Sequence, residues 1–417
     1  MRITLFGFIW IGIVLYAFCS RSYEKMIFVT ILSGVFQCNA VVILGNTNGV
    51  GPQIFTSAIF IIWYIIKYFP KYSVKFNRAY LCCMLLIFSI VISLIKNEGK
   101  IQGTKSLYII QLLIYINCYF CIIKTKLNGQ LDMNKIFLPI VIFVLIIGMI
   151  QYLIFLGVIP KLKLITYLLY NETWNGTNAY NLMRKIRLFS TFKEPSYCAT
   201  FLVGAFYYIC YNYDKIKNSK TYLLVIGIEI LLTLSTTAYI AVIFCGIVFS
   251  VLSNKKKVLK FLIPIGILAI FITIFSGSLE TVILKKNTTG SASERNLWNR
   301  KAIEAFNKSP IYGVGFKNSR ASSIVNNILG ELGILGIISY FLLDWSYLKY
   351  LLKKKNNKLN YGCLYFMLAV VFSQIITCPD LELCTYWIGM YMIGLSESIT
   401  RYKEGERNES NSICNYN

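Results

Sequence analysis

Two polar stretches hold the side chains that could do chemistry in this otherwise apolar chain. The first is Arg187-Leu-Phe-Ser-Thr-Phe-Lys-Glu-Pro-Ser196, which carries both charge signs; the second contains Arg295 and the run Ser309-Pro-Ile-Tyr-Gly-Val-Gly-Phe-Lys317. Around the first lie Lys161, Lys163, Arg184, Lys185, Arg187 and Lys193 against Glu172 and Glu194, and around the second Arg295, Arg300, Lys301, Lys308, Lys317 and Arg320. Arginine presents a rigid fork of donors that matches phosphate oxygens, so two cationic loops held at a membrane surface suit an anion held there, such as a lipid pyrophosphate. The plainer reading is solvated loop charge, because long loops escape the bias that sorts Lys and Arg to the cytoplasm. Glu194 precedes Pro195, a residue suited to the first turn of a helix, so its carboxylate also fits a helix cap.

The elements that must position these residues are apolar. The chain has 417 residues, of which 56% are hydrophobic and 14% charged, and its mean hydropathy is +0.60. Its apolar residues come in blocks close to the ~20 helical residues that cross a ~30 Å hydrocarbon core. The expected fold is therefore all-α: a polytopic bundle of 12–13 transmembrane helices with two long outward-facing loops. The spans fall near 3–19, 26–44, 53–69, 79–95, 107–123, 137–157, 198–213, 222–236, 238–253, 259–277, 324–344, 362–377 and 384–398. The pair that meets around Ser235-Thr-Thr237 shares a minimal turn, which leaves the count at twelve or thirteen. The first block lacks a small-residue cleavage site and reads as a retained helix rather than a signal peptide.

Charge orients the bundle. Arg21 and Lys25, Lys71 to Arg78, Lys124 to Lys135, Lys215 to Lys220, Lys255 to Lys257, Lys353 to Lys358, and Arg401 with Lys403 fall on alternate connections. Short cytoplasmic loops collect Lys and Arg, so those connections face the cytoplasm. The loops 158–197 and 278–324 then face outward, with Lys96, Lys100 and Lys105 as a discordant note. The whole chain, 1–417, reads as one membrane domain ending in a polar cytoplasmic tail, 399–417. The same bias explains the net charge of +24 without nucleic acid, since the lysines flank apolar blocks and form no separate basic domain.

No metal or cofactor is expected. The chain has no histidine, which removes the commonest metal ligand and general base. Most of the 13 cysteines lie inside apolar runs, where a thiol acts as a small hydrophobe. Cys118-Tyr-Phe-Cys121 sits within an expected span, and Cys378 and Cys384 flank a short outer loop as a disulfide or, more simply, as two thiols. Leu297, Trp298, Ala302, Ala305 and Phe306 recur at helical spacing among charges, as in an amphipathic helix on a membrane surface. Pro310 to Gly315 makes a turn, and no strand precedes its Gly-x-Gly to suggest a nucleotide fold. Glu229 lies inside a span, where an ionisable group is either functional or paired with a neighbouring helix. Glu331 suits the first turns of its span by the helix dipole. Asp380 and Glu382 make the last outer loop acidic and available to pair with the basic loops. Asn171, Asn175 and Asn287 match glycosylation acceptors, a short pattern with little weight.

At these residues the chain resembles the superfamily of O-antigen and capsule repeat-unit polymerases and O-antigen ligases. The family's first motif is matched by Arg187, Ser190, Phe192, Glu194 and Pro195, and its second by Arg295, Trp298, Pro310, Gly313 and Gly315. A third, Glu-x-Gly-x-x-Gly, is matched by Glu331, Gly333 and Gly336. Each motif is loose; their order carries the resemblance. Ligase-like members carry a His-Asn pair where Ser322-Ser323 stand here, a departure that points away from a ligase and towards a polymerase. Members also often carry an Arg near Ser235, where this chain has Thr236.

The resemblance implies a metal-independent glycosyltransferase in the cytoplasmic membrane, with a polyprenyl-pyrophosphate-linked oligosaccharide as donor. It would join repeat units into O-antigen, capsule or exopolysaccharide at the outer face, beside membrane lipid and possible partners such as a chain-length regulator and a flippase. On that reading Arg187, Glu194 and Arg295 are the catalytic candidates. Arginines meet the leaving pyrophosphate, and Glu194 is the base in a chain without histidine. Lys193, Arg184, Arg300, Lys317 and Arg320 are the substrate-binding candidates. The alternatives are a ligase-type glycan transferase and, from a different class, a lipid-linked oligosaccharide flippase.

Overall fold

The computed structural model describes residues 2–44, 48–68, 78–97, 103–125, 127, 131–160, 187–253, 290–352 and 359–414. Within them the chain is all-α apart from a three-stranded antiparallel patch, in which Arg2–Ile3 pairs with Val42–Leu44 and that strand with Asn48–Val50. Thirteen α-helices are described: α1 Leu5–Cys19, α2 Tyr23–Ser33, α3 Pro52–Tyr68, α4 Arg78–Lys96, α5 Gly103–Lys124, α6 Met133–Phe155, α7 Pro195–Tyr211, α8 Ser219–Leu232, α9 Thr236–Leu252, α10 Gly290–Lys308, α11 Ile324–Leu348, α12 Tyr361–Ile376 and α13 Cys384–Cys414. The expected span 259–277 and the candidate Arg184 lie outside the described residues.

Length and composition suit a membrane. Arg78–Lys96, Ser106–Lys124, Met133–Phe155 and Ile324–Leu352 are long and apolar enough to cross one, and Leu5–Cys19, Pro52–Tyr68, Thr236–Leu252 and Tyr361–Ile376 are shorter apolar helices. Large apolar side chains face outward along these elements: Phe8 and Tyr16 on α1, Ile66 on α3, Phe88 and Ile95 on α4, Ile247 and Val251 on α9. Such belts would drive aggregation in water and are at home in hydrocarbon. The inside is packed with aromatic and small side chains. α7 is buried almost all round, and Gly204 lets the ring of Phe366 on α12 approach its backbone closely. The fold is that of an all-α polytopic membrane protein.

One expected span is corrected. Residues 26–44 do not form a continuous helix, because α2 ends at Ser33. At 1.5 Å per residue its eleven residues cover only about half of a hydrocarbon core. The chain then runs irregularly to the strand at Val42. Non-helical backbone is tolerated at such depth only inside protein, and Val35 to Ile43 are all buried. Their polar groups are met by the Arg187 stretch: Thr191 Oγ1 donates to Val35 O at 2.7 Å, Gln37 N to Thr191 O at 3.1 Å, and Cys38 Sγ to Phe192 O at 3.2 Å. The apolar run hid this break, since composition alone does not separate a full span from a half-span with a buried return.

The minimal turn at Ser235 does separate two helices, α8 and α9, with Leu234 at φ 47° between them. Helix ends that bear the Arg187 stretch gather at one end of the bundle. At the other, Lys67 Nζ donates to Arg21 O, and Ser398 and Arg401 of α13 cap the last carbonyls of α5 at Ile122 and Ile123.

Candidate functional site

The Arg187 stretch is fixed before it reaches α7. Arg187 Nε donates to Thr233 O and its Nη2 to Leu234 O, both at 3.1 Å, while Leu188 N donates to Leu232 O at 3.0 Å. The guanidinium thus caps the negative end of α8, where a cation is favoured. Farther along, the side-chain oxygen of Gln151 on α6 accepts from both Phe189 N and Ser190 N at 2.9 Å, and Ser190 Oγ donates to Val144 O at 2.8 Å. Ser190 adopts φ 48°, a conformation most side chains avoid.

Arg187 feels the charges of Glu194 and Arg295. Burial lowers the Arg187 pKa below the ordinary arginine value; Arg295 pushes it the same way and Glu194 opposes both. Arg295 lies on the half-buried side of α10 with Trp298, Asn299, Ala302, Ala305 and Phe306, whereas Leu297 and Arg300 are exposed. The amphipathic helix is therefore present, but Leu297 belongs to its outer face with Ile303. Its inner face packs on α11, where Gly330 brings the Ala302 carbonyl close.

Glu194 occupies the N-cap position of α7 yet makes no side-chain bond to the helix backbone. Its carboxylate accepts instead from Ser196 Oγ at 3.3 Å and stays half-buried, so Glu194 holds the cap position without a side-chain bond to the backbone. Arg320 is exposed and stacks on Trp298, 4.3 Å from the ring centroid. Lys193 is half-buried and acts electrostatically on Asp380.

Lys317 is held by the acidic loop. Its Nζ lies 2.6 Å from Glu382 and 3.5 Å from Asp380, and it sits over the Tyr108 ring at 4.9 Å. Burial works against its charge, but Glu382, Asp380 and Glu331 outweigh that and raise its pKa above the ordinary lysine value. Burial likewise pushes the Asp380 carboxyl up, and Lys317, the Tyr197 hydroxyl (2.7 Å) and Lys193 outweigh it to hold the carboxyl below the usual range. Tyr197 was not singled out by its sequence context; it stands in the first turn of α7, two places past Pro195.

The second and third motifs form one object. α11 breaks at Gly333, whose φ is 66° and ψ −157°. The Pro310–Gly315 turn lies in that break: Val314 N donates to Gly330 O at 2.9 Å, Gly315 N to Glu331 O at 3.1 Å, and Ile334 N to Pro310 O at 2.8 Å. Gly313 (φ 69°) rests on the Glu331 backbone and Gly333 on that of Ile311, with no room for a Cβ at either. Ser93 Oγ of α4 donates to Glu331 O, and Asn97, just past the end of α4, to Gly313 O. The Glu331 side chain is buried and accepts from Asn327 at 3.1 Å, which the helix-dipole reading did not foresee. The Ser pair is engaged structurally too. Ser323 caps α11 by accepting from Asn326 N, and Ser322 donates through N and Oγ to Asn299 of α10, both at 2.9 Å. Cys378 and Cys384 are free thiols.

A membrane bundle with cations and carboxylates gathered at one end of its helices defines a multi-pass membrane protein with a polar terminal site. Residues 221–329 match the family model described as O-antigen ligase. The match covers α8, α9, α10 and the Pro310–Gly315 turn, ending just short of Glu331. It supports the chain's membership of the O-antigen polymerase and ligase superfamily, whose members are glycosyl-transferring enzymes. No curated protein matches the chain.

Proposed function

We propose that the protein is a polysaccharide polymerase of the cytoplasmic membrane, joining polyprenyl-pyrophosphate-linked repeat units at the outer face. The acceptor hydroxyl of a new lipid-linked repeat attacks the anomeric carbon of the growing chain. A carbon–oxygen bond to the acceptor forms, the bond to the pyrophosphate breaks, and polyprenyl pyrophosphate leaves with the electron pair. Arg187 and Arg295 face the charge that develops on the leaving oxygens, where fixed donors are most effective. Glu194 takes the hydroxyl proton. Its side chain spends no bond on the α7 backbone, and Arg187 feels both its charge and that of Arg295. Lys193 precedes Glu194 in the chain, Arg320 stacks on Trp298 one turn along α10 from Arg295, and Lys317 holds the acidic loop that Tyr197 of α7 also bonds. Arg184 and Arg300 are proposed as further contacts to the donor.

What supports polymerase over ligase is the residue type at this place: Ser322, bonded to Asn299 of α10, and Ser323, the cap of α11, stand where ligase-like members carry a His-Asn pair. No base stands where ligase-like members carry their histidine. A flippase is the second reading, favoured by Glu229, a buried carboxyl on α8 with no hydrogen-bond partner to either oxygen among the described residues. Purified protein in sealed lipid vesicles with one polyprenyl-pyrophosphate repeat separates the readings. A ladder of increasing length on a gel supports the polymerase, and a single transfer to a different acceptor supports a ligase. Movement of substrate across the bilayer without new bonds supports the flippase.

A further inference from the structure

We infer that Gln151 is the positioning residue of the proposed site: one buried amide oxygen sets the backbone from which Arg187 reaches the reacting pyrophosphate. This inference rests on the function proposed above for Arg187. Gln151 lies in α6, inside an otherwise apolar run, and is 4% exposed. A polar side chain at that depth is costly unless its bonds are made. Its oxygen accepts from two consecutive backbone amides, those of Phe189 and Ser190, each at 2.9 Å. Consecutive amides aimed at one point form the kind of concavity that elsewhere binds an anion; here a neutral protein oxygen fills it.

The consequence is conformational. Two converging amides define a tight turn, and Ser190 sits at its corner with φ 48°. A non-glycine residue stays there only when its surroundings over-determine it. Val144 O holds the serine hydroxyl, and Gln151 holds the two amides on either side of the Phe189 α-carbon. On the N-terminal side of this turn lies Arg187; on the other, the chain leads through Thr191 and Lys193 to Glu194. Both proposed catalytic groups of the first motif therefore diverge from a corner that Gln151 fixes. Asparagine would lose the reach of one methylene, and methionine would fill the space without accepting the amides. Glutamate keeps an acceptor oxygen at the same reach.

The test compares Gln151→Met, Gln151→Asn and Gln151→Glu with wild type, purified in lipid, by two readouts. Amide hydrogen exchange of residues 188–191 reports the turn itself. Chain extension from a polyprenyl-pyrophosphate repeat gives kcat and KM separately. Gln151→Met is expected to speed exchange at Phe189 and Ser190 while α7 and α11 stay protected. Its kcat should fall about 10- to 100-fold with a small change in KM, as for a displaced catalytic group, and Gln151→Glu should restore most of both. Unchanged exchange at the two amides in Gln151→Met, or a kcat equal to wild type, overturns the inference. A general loss of protection across the bundle in Gln151→Met, with no recovery in Gln151→Glu, also overturns it, by making Gln151 a stability residue only. Should wild type extend no chain, the proposed function fails and the exchange result alone decides whether Gln151 sets the turn.

Discussion

The ammonium group of Lys317 lies 2.6 Å from a carboxylate oxygen of Glu382. This contact ties the loop after α10 to the loop between α12 and α13, and Asp380 joins it from the same loop at 3.5 Å. A lysine chosen by its sequence as a phosphate ligand thus has its charge engaged by protein, and its part is to hold the acidic loop beside the Arg187 group. Lys317→Met leaves the buried Glu382 without its counter-charge and should destabilise the protein by about 2–3 kcal/mol, the loss being reduced by the partial exposure of the pair. Thermal unfolding in detergent measures it.

That loss should depend on pH. The Lys317 pKa is raised in the folded state, so its contribution is complete below the unfolded lysine value of about 10.4 and fades as pH rises through the folded value. The Asp380 pKa is depressed, so its contribution is present above about 3.9 and fades as pH falls through its folded value. The difference in unfolding temperature between wild type and Lys317→Met should be flat through the neutral range and narrow on the acid side of about pH 4. A difference that narrows between pH 6 and 8, read as about the histidine range, would contradict this pairing.

Gly313 and Gly333 should tolerate no side chain. Each has positive φ and each lies on the backbone of the opposing segment, Gly313 on Glu331 and Gly333 on Ile311. Alanine at either must push the turn out of the α11 break, with a loss of about 2–4 kcal/mol from strain and unmade backbone bonds. Gly12 of α1, with open space around it, is the control: Gly12→Ala should be neutral or gain up to about 1 kcal/mol. Yield and unfolding temperature of the three variants decide it.

Arg187→Lys should keep the fold and lose activity. Lysine keeps the charge but cannot bond Thr233 O and Leu234 O together while meeting a phosphate with a planar fork. Chain extension should fall on the order of 10²-fold or more, the scale seen when a fixed donor to developing charge is removed, with membrane insertion intact.

Glu229 separates the enzyme from the transporter. Gly148 on α6 leaves the space its carboxyl occupies, and neither oxygen has a hydrogen-bond partner among the described residues. Glu229→Gln keeps the shape and should leave chain extension unchanged. Loss of all function in a folded Glu229→Gln protein would favour transport.

The sequence was informative where burial and charge act on local runs. Most helices sit where the apolar blocks predict them, and the pairing of Asp380 and Glu382 with a basic loop followed from sign alone. It was less informative where backbone meets backbone. Gly313 and Gly333 gave two separate motifs, although their spacing records one contact between segments distant in the chain. The half-helix ending at Ser33 was hidden because its continuation is as apolar as a span and its polar bonds go to Thr191 and Phe192. Gln151 does carry a signal in the sequence: an amide inside a span must find partners.

On the proposed function, Arg187 and Arg295 together hold the pyrophosphate that leaves as each new glycosidic bond forms. The most direct measurement is the release of polyprenyl pyrophosphate per added repeat by wild type, Arg187→Ala and Arg295→Ala in lipid, with product length followed on a gel. Wild type is expected to give a ladder with matched release, and either folded variant neither ladder nor release. A normal ladder from Arg187→Ala or Arg295→Ala would contradict it.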